Sequence, residues 1–359
     1  MKKKILFIIG STNQTSQMYQ ISQHLCDDYD CYFSQVFTDL KLAKFLRQFG
    51  IFDTTAYAGQ FKKNSDKFLR EHNLKEDYEA QKHDYDLVFH CTDVVVPRRL
   101  LKTKNIHVQE GMIDKYNFIS KLVQVFHLPA WVTIDTSLNG SSDLLDIYCS
   151  ASEGYKNHIN RLGTKREKIF VTGIPNFDNI AQFKNNDFPH KGYVMVATSD
   201  LRETARLDNR ADFIKECVKI ANGRPMLFKL HPNEKYDRAC AEIRANAPAD
   251  SLIFLNGNSN HMVANCDELI TQYSTLSYVG LILGKKVNSY FDINLLKRLI
   301  PVQNGGISAQ NIAKIGRDFI EFDGNKEDFA RQYFFEPVEN QSRITKLLTM
   351  HNGQWKIES

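Results

Sequence analysis

The sequence holds no apolar run approaching the roughly 18 residues that span a bilayer. Its opening "MKKK" leads into the short apolar run "ILFIIG", too brief for a secretory leader, so the stretch reads as a first buried strand. The seven cysteines are scattered with no C-x-x-C pair. That argues against a zinc site or a disulfide framework and for thiols kept in a reducing, cytoplasmic compartment. No G-x-G-x-x-G loop follows the first strand, which argues against a dinucleotide. Charge bias is also missing: 46 basic residues face 42 acidic ones, a net charge of +4, too even for a general nucleic-acid binder. Low-complexity tracts and repeats of solenoid period are absent.

What is present is a long, ordinary globular composition. The chain has 359 residues, 42% hydrophobic and 25% charged, which exceeds what one core supports and predicts two domains. Short apolar strands alternate with amphipathic helices: "KKILFIIG", "CYFSQVF", a helical, charged region from about Leu40 to Lys82, then "YDLVFHCTD", "NIHVQEGM", "LLDIYCSAS" and "KIFVTGIP". After the turn-rich "FKNNDFPHKG" the pattern restarts with "YVMVATSD", "MLFKLHP", "SLIFLNG" and "DELITQYST". The expected fold is α/β, with two tandem Rossmann-like domains whose strand C-termini face a central cleft. Their expected limits are residues 1–183 and 192–325. A helical tail, residues 326–359, is expected to pack back on the first domain.

Four clusters stand at expected strand C-termini, where ligands of such folds bind. In "FKLHPNE" (Phe228 to Glu234), Lys229, His231 and Asn233 leave the strand together; a cation and an imidazole suit a phosphate, and Pro232 fixes the backbone beside the ring. In "LITQYSTLSYVG", Ser274 and Thr275 fall on a strand-to-helix turn, either as an anion seat or as an ordinary cap. In "HVQEGMID", Glu110 follows Gln109 and precedes a turn at Gly111, placing a carboxylate to orient or deprotonate a hydroxyl. In "YVMVATSDLRET", Ser199 and Asp200 end a strand; Asp200 reads either as a helix N-cap with Glu203 or as a nucleophile beside an oxocarbenium ion.

Together "QEG", "KLHP" and "YST" resemble, in order and domain placement, the acidic-acidic-Gly, His-Pro and Ser/Thr motifs of the bacterial GT-B sialyltransferases that use CMP-activated sugars, and of the related Kdo transferases. The resemblance implies a glycosyltransferase of bacterial surface polysaccharide synthesis, with CMP-Kdo or CMP-sialic acid as donor and a glycan or glycolipid as acceptor. It places His231 on the CMP phosphate, with Lys229, Asn233, Ser199, Ser274 and Thr275 around the donor. Asp200 looks like the carboxylate nucleophile of retaining β-Kdo transferases. Gln109 stands where the sialyltransferases often carry their base, leaving Glu110 for that work. "VTGIPNFDN" is similar to a junction of nucleotide-sugar enzymes in which Gly173 allows close backbone approach. Metal-independent transfer is expected, without a cofactor. The alternatives are an inverting sialyltransferase-like enzyme, a UDP-GlcNAc 2-epimerase-like isomerase and a non-catalytic nucleotide-sugar binder. "MKKK" and "PRRLLKTK" leave a peripheral contact with the inner membrane face open, while nucleic acid is not an expected partner.

Overall fold

The structure is a computed structural model that describes residues 2–39, 59–113, 118–126, 128, 130–133, 136–203, 208–333, 350–351 and 354–355. The chain divides into two compact units, residues 1–179 with 301–359, and residues 180–300. The first crossing lies beside the expected boundary at 183–192. The second comes at 300/301, where the sequence had suggested 325.

The first unit begins with β1 (Lys4–Ile9), α1 (Thr12–Gln23), β2 (Asp30–Gln35), α2 (Gly59–Glu71), β3 (Leu87–His90) and β4 (Lys104–Val108). It continues with α3 (Phe118–Val125), β5 (Ile147–Ser150), α4 (Glu153–Leu162) and β6 (Ile169–Val171). All six strands are parallel, in the order β2-β1-β3-β4-β5-β6. A parallel sheet is covered on both faces, which is why "ILFII" of β1 and "LVF" of β3 run apolar without alternation. Register places Phe7 opposite Phe33 and Phe89, and the rings stack with centroids 5.2 and 4.9 Å apart. Of the helical region expected from Leu40 to Lys82, α2 and a 3-10 turn at Tyr78–Ala80 are seen; residues 40–58 lie outside the described residues.

Two buried histidines, His90 and His107, are register partners on β3 and β4. His90 Nε2 meets Asn105 Oδ1 at 2.7 Å, which makes Nε2 the protonated nitrogen, while Nδ1 has no hydrogen-bond partner among the described residues. A second proton on that ring would be an uncompensated buried charge. Burial therefore holds the His90 pKa down to about 4.

The second unit repeats the scheme with β7 (Val194–Ala197), α5 (Arg210–Ala221), β8 (Met226–Lys229), α6 (Tyr236–Asn246), β9 (Leu252–Phe254) and α7 (Ser259–Asn265). There follow β10 (Glu268–Thr271), α8 (Leu276–Ile282), β11 (Lys286–Asn288) and α9 (Ile293–Leu299). The five parallel strands run β11-β10-β7-β8-β9. Val194, Val196, Phe228 and Ile270 from the strands meet Phe213, Ile214, Cys217 and Ile243 from α5 and α6 in the core.

The chain then returns to the first unit as α10 (Ser308–Glu321) and α11 (Lys326–Gln332), and a short antiparallel pair, β12 (Met350–His351) and β13 (Gln354–Trp355), comes last. Ile312, Ile315 and Phe319 of α10 and Phe329 of α11 join the same core as Phe7 and Phe89. Gly316 lets α10 approach, because a Cβ there would lie 2.6 Å from Phe89 Cζ. Of the tail expected to be helical over 326–359, Lys326–Gln332 is α11 and β12 and β13 are strand, while residues 334–349, 352–353 and 356–359 lie outside the described residues. All seven cysteines are free thiols. Among the described residues no helix is long and apolar enough to cross a membrane.

Candidate functional site

In the second unit β7 lies between β8 and β10, with Ala197 level with Lys229 on one side and Thr271 on the other. Three parallel strands therefore end together, and the residues just beyond them converge. A cavity of about 270 Å³ opens there, lined among others by Thr198, Lys229, His231, Asn256 and Ser274. This is the strand edge at which open α/β sheets bind ligands.

His231 follows β8 and is partly exposed, with its Nδ1 side occupied by the protein. The Asn233 backbone N–H donates to Nδ1 at 3.3 Å, and Asp200 Oδ2 stands 3.5 Å from the same atom. The Asn233 side chain in turn donates to Asp200 Oδ2 at 2.8 Å. A neutral ring accepting at Nδ1 carries its proton on Nε2, which has no protein partner among the described residues. The cluster can therefore present an N–H, or a proton, to a ligand. Asp200 belongs to it as the carboxylate facing His231. The capping role expected for Asp200 with Glu203 falls on residues 204–207, which lie outside the described residues; among the described residues the next helix, α5, starts at Arg210 and is capped by Asn209, and Glu203 pairs with Arg238.

Lys229 is buried, and its Nζ donates to the carbonyls of Leu230 at 2.8 Å and Leu255 at 2.7 Å. Two of its three N–H groups thus hold the ends of β8 and β9, and burial lowers the ammonium pKa below the usual lysine range despite the opposing charge of Glu234. Ser274 lines the cavity and accepts from the Leu276 N–H at 3.3 Å. Thr275 opens α8 without a side-chain cap, and its neighbours Ser274 and Leu276 line the cavity in its place. Ser199 is buried: its hydroxyl donates to Tyr273 O at 3.4 Å, joining the ends of β7 and β10.

Beneath this surface lies a charged network that the sequence motifs did not signal. Glu234, the last residue of "FKLHPNE", is fully covered; its Oε2 accepts from the His231 backbone N–H at 2.9 Å and from the Thr198 hydroxyl. Its Oε1 pairs with Arg210 Nη2 at 2.9 Å. Arg210 also donates through Nε to Asp208 at 3.0 Å and through Nη2 to Ser199 O at 2.7 Å. Asp208 is held from its other oxygen by Gln272 Nε2 at 2.8 Å. The links that join the strand ends, Glu234 to Arg210 and Gln272 to Asp208, span 24 and 64 residues of sequence, beyond any local motif.

In the first unit Glu110 stands at the end of β4, where the Ser11 hydroxyl donates to its Oε1 at 2.8 Å. Burial raises its carboxyl pKa against the opposing bonds from Ser11 and Gln14. Gln109 is structural: it donates to Gly111 O and accepts from the Ala151 N–H, tying the β4 and β5 loops. Gly173 has φ +79°, and the space its missing Cβ leaves is taken by Ser308 Oγ and Asn304 Nδ2. The close approach expected there is made by the start of α10. Two Asp-Tyr-Asp triplets, Asp28 to Asp30 and Asp84 to Asp86, lead into β2 and β3, the sheet edge opposite Glu110; Asp30 pairs with Lys75, and Asp86 accepts from the Lys4 N–H.

No protein-family model matches this chain, and no curated protein sequence matches it. Solved structures do. The Staphylococcus aureus MnaA–UDP co-structure is 12% identical over 89% of this chain and 97% of its own, with a TM-score of 0.56. The Methanocaldococcus jannaschii UDP-GlcNAc 2-epimerase in complex with UDP-GlcNAc and UDP is 14% identical over 88% and 99%, with a TM-score of 0.52. The Rickettsia bellii UDP-N-acetylglucosamine 2-epimerase is 11% identical over 94% and 100%, with a TM-score of 0.52. At these identities the likeness is one of fold. It corrects the expected function: the neighbours are UDP-GlcNAc 2-epimerases, and the CMP-Kdo or CMP-sialic acid transferase implied by the three short motifs has no support among them. The chain has the two Rossmann-like α/β units of a GT-B-like fold, similar to those epimerases along most of its length.

Proposed function

We propose that the protein binds a uridine diphosphate sugar and inverts a stereocentre of the sugar, as a 2-epimerase does. The observation that carries this reading is the cavity edged by His231, Lys229 and Ser274 at the strand C-termini of the second unit, in a fold whose neighbours are named for UDP and UDP-GlcNAc. Inversion at C2 removes a proton from one face of the carbon and returns one to the other, so no atom is gained or lost overall. Such chemistry needs a base, an acid and donors that carry negative charge on the nucleotide. In this reading Nε2 of His231 and the hydroxyl of Ser274 meet phosphate oxygens, with the remaining N–H of Lys229 beside them. Asp200 and Asn233 hold the imidazole.

The test is to incubate the protein with UDP-GlcNAc in D₂O and follow the sugar by proton NMR. Deuterium at C2 and a second epimer are expected, and turnover is expected to persist in EDTA. UDP should raise the melting temperature more than CMP does, and His231→Ala should lower kcat about 100-fold or more. A sugar that neither exchanges nor epimerises, with no stabilisation by UDP, refutes the proposal.

A further inference from the structure

We infer that Glu234 is a positioning residue for His231, acting through a buried latch of Glu234, Arg210 and Asp208 that ties together the ends of β7, β8 and β10. The inference rests on the reading of His231 as the group that meets the nucleotide sugar.

Desolvation and attraction nearly cancel in a buried ion pair, so such a network adds little net stability compared with apolar packing. What it fixes is direction. One guanidinium stands between two carboxylates, each almost fully covered, and each bond starts from a different strand end. Asp208 receives Gln272 from just beyond β10, Arg210 holds the Ser199 carbonyl beyond β7, and Glu234 receives the His231 N–H beyond β8. The bond to His231 is made to its main chain. Glu234 therefore sets where the residue starts, while Asn233 and Asp200 set how its ring is turned. Pro232 leaves little backbone freedom between these two constraints. With the carboxylate gone, the His231 N–H keeps only its longer contact to Thr198 Oγ1 at 3.3 Å, the Thr198 hydroxyl keeps only Lys229 O at 3.3 Å, and Arg210 is left with Asp208 alone among the carboxylates it pairs with here. The start of the loop is then held less firmly, the bond from the Asn233 N–H to Nδ1 is made less often, and the ring samples both tautomers. A displacement of about 1 Å at such a group costs about 100-fold in rate.

The test uses the full chain labelled with ¹⁵N-histidine. In the wild type, His231, assigned through His231→Asn, should show one nitrogen shifted as an acceptor and one as a donor. Glu234→Gln keeps an oxygen for the His231 N–H but removes the charge facing Arg210, and Glu234→Ala removes both. The two ¹⁵N shifts should move towards each other, slightly in the first variant and strongly in the second, with kcat falling about 10-fold and about 100-fold while KM changes less. The pH–rate profile should shift with them. Asp208→Asn loosens the latch from its far end without touching the cavity wall, so it should reproduce the Glu234→Gln signature even if Glu234→Ala fails to fold. Shifts that superimpose on the wild type in both Glu234→Gln and Asp208→Asn overturn the inference. Absence of turnover in the wild type would instead refute the proposed function, and the ¹⁵N comparison would still decide the positioning role.

Discussion

His90 makes the first unit acid-sensitive by a calculable amount. The ring is wholly buried, its Nδ1 has no hydrogen-bond partner among the described residues, and His107 beside it disfavours a positive charge more than Asp93 favours one. Its pKa falls from 6.5 to about 4, which at 1.36 kcal/mol per unit corresponds to about 3 kcal/mol. The direction follows from proton counting. Between pH 6.5 and about 4 the unfolded chain binds a proton at this position and the folded chain does not, so stability falls as pH falls. The contribution is complete above pH 6.5 and gone below about 4, and burial pushes the His107 pKa in the same direction. Hydrogen exchange of the amides from Leu87 to Val108, corrected for the intrinsic pH dependence, should show the opening free energy declining across that window. His90→Gln keeps a donor for Asn105 and cannot titrate, so its decline should be shallower by about 1 kcal/mol per pH unit. Identical slopes in the two proteins would refute the assignment.

Two further substitutions probe the packing that brings the C-terminal segment back to the first unit. Gly173→Ala combines a left-handed backbone with a methyl group placed onto Ser308 Oγ, and should cost about 3 kcal/mol by urea titration; a loss below about 1 kcal/mol would mean that α10 shifts freely. Phe89→Ala removes a ring stacked on Phe7 and touching Gly316, and should cost about 3 to 5 kcal/mol; thermal melts showing a smaller change would place Phe89 outside the cooperative core.

The parallel sheets were legible because burial on both faces leaves runs such as "KILFII", "VMVA" and "ELIT" with no polar alternation, and a run of that kind needs no partner to be recognised. The convergence of His231, Asp200 and Asn233 was legible for the same reason: each follows a strand, and parallel strands end on one edge. Their roles were less so. Asp200 read equally well as a cap because nothing local shows that Asn233, 33 residues later, donates to its carboxylate. Lys229 read as a free cation because the Leu255 carbonyl that holds it belongs to another strand. Glu234 gave no signal at all, since a carboxylate after Asn looks solvated until Arg210, 24 residues earlier, is found against it. Three short motifs carried the choice of CMP sugar, and motifs of two or three residues on a widely shared edge specify the edge better than the substrate.

The return of α10 to the first unit also sets an order of synthesis. Residues 1–179 cannot finish their core until Ile312, Ile315 and Phe319 have been made. At about 5 to 20 residues per second, the stretch from 180 to 321 takes roughly 7 to 30 seconds. Over that interval the apolar face around Leu87 and Phe89 waits for its cover, while residues 180–300 form a compact unit that draws on no later segment.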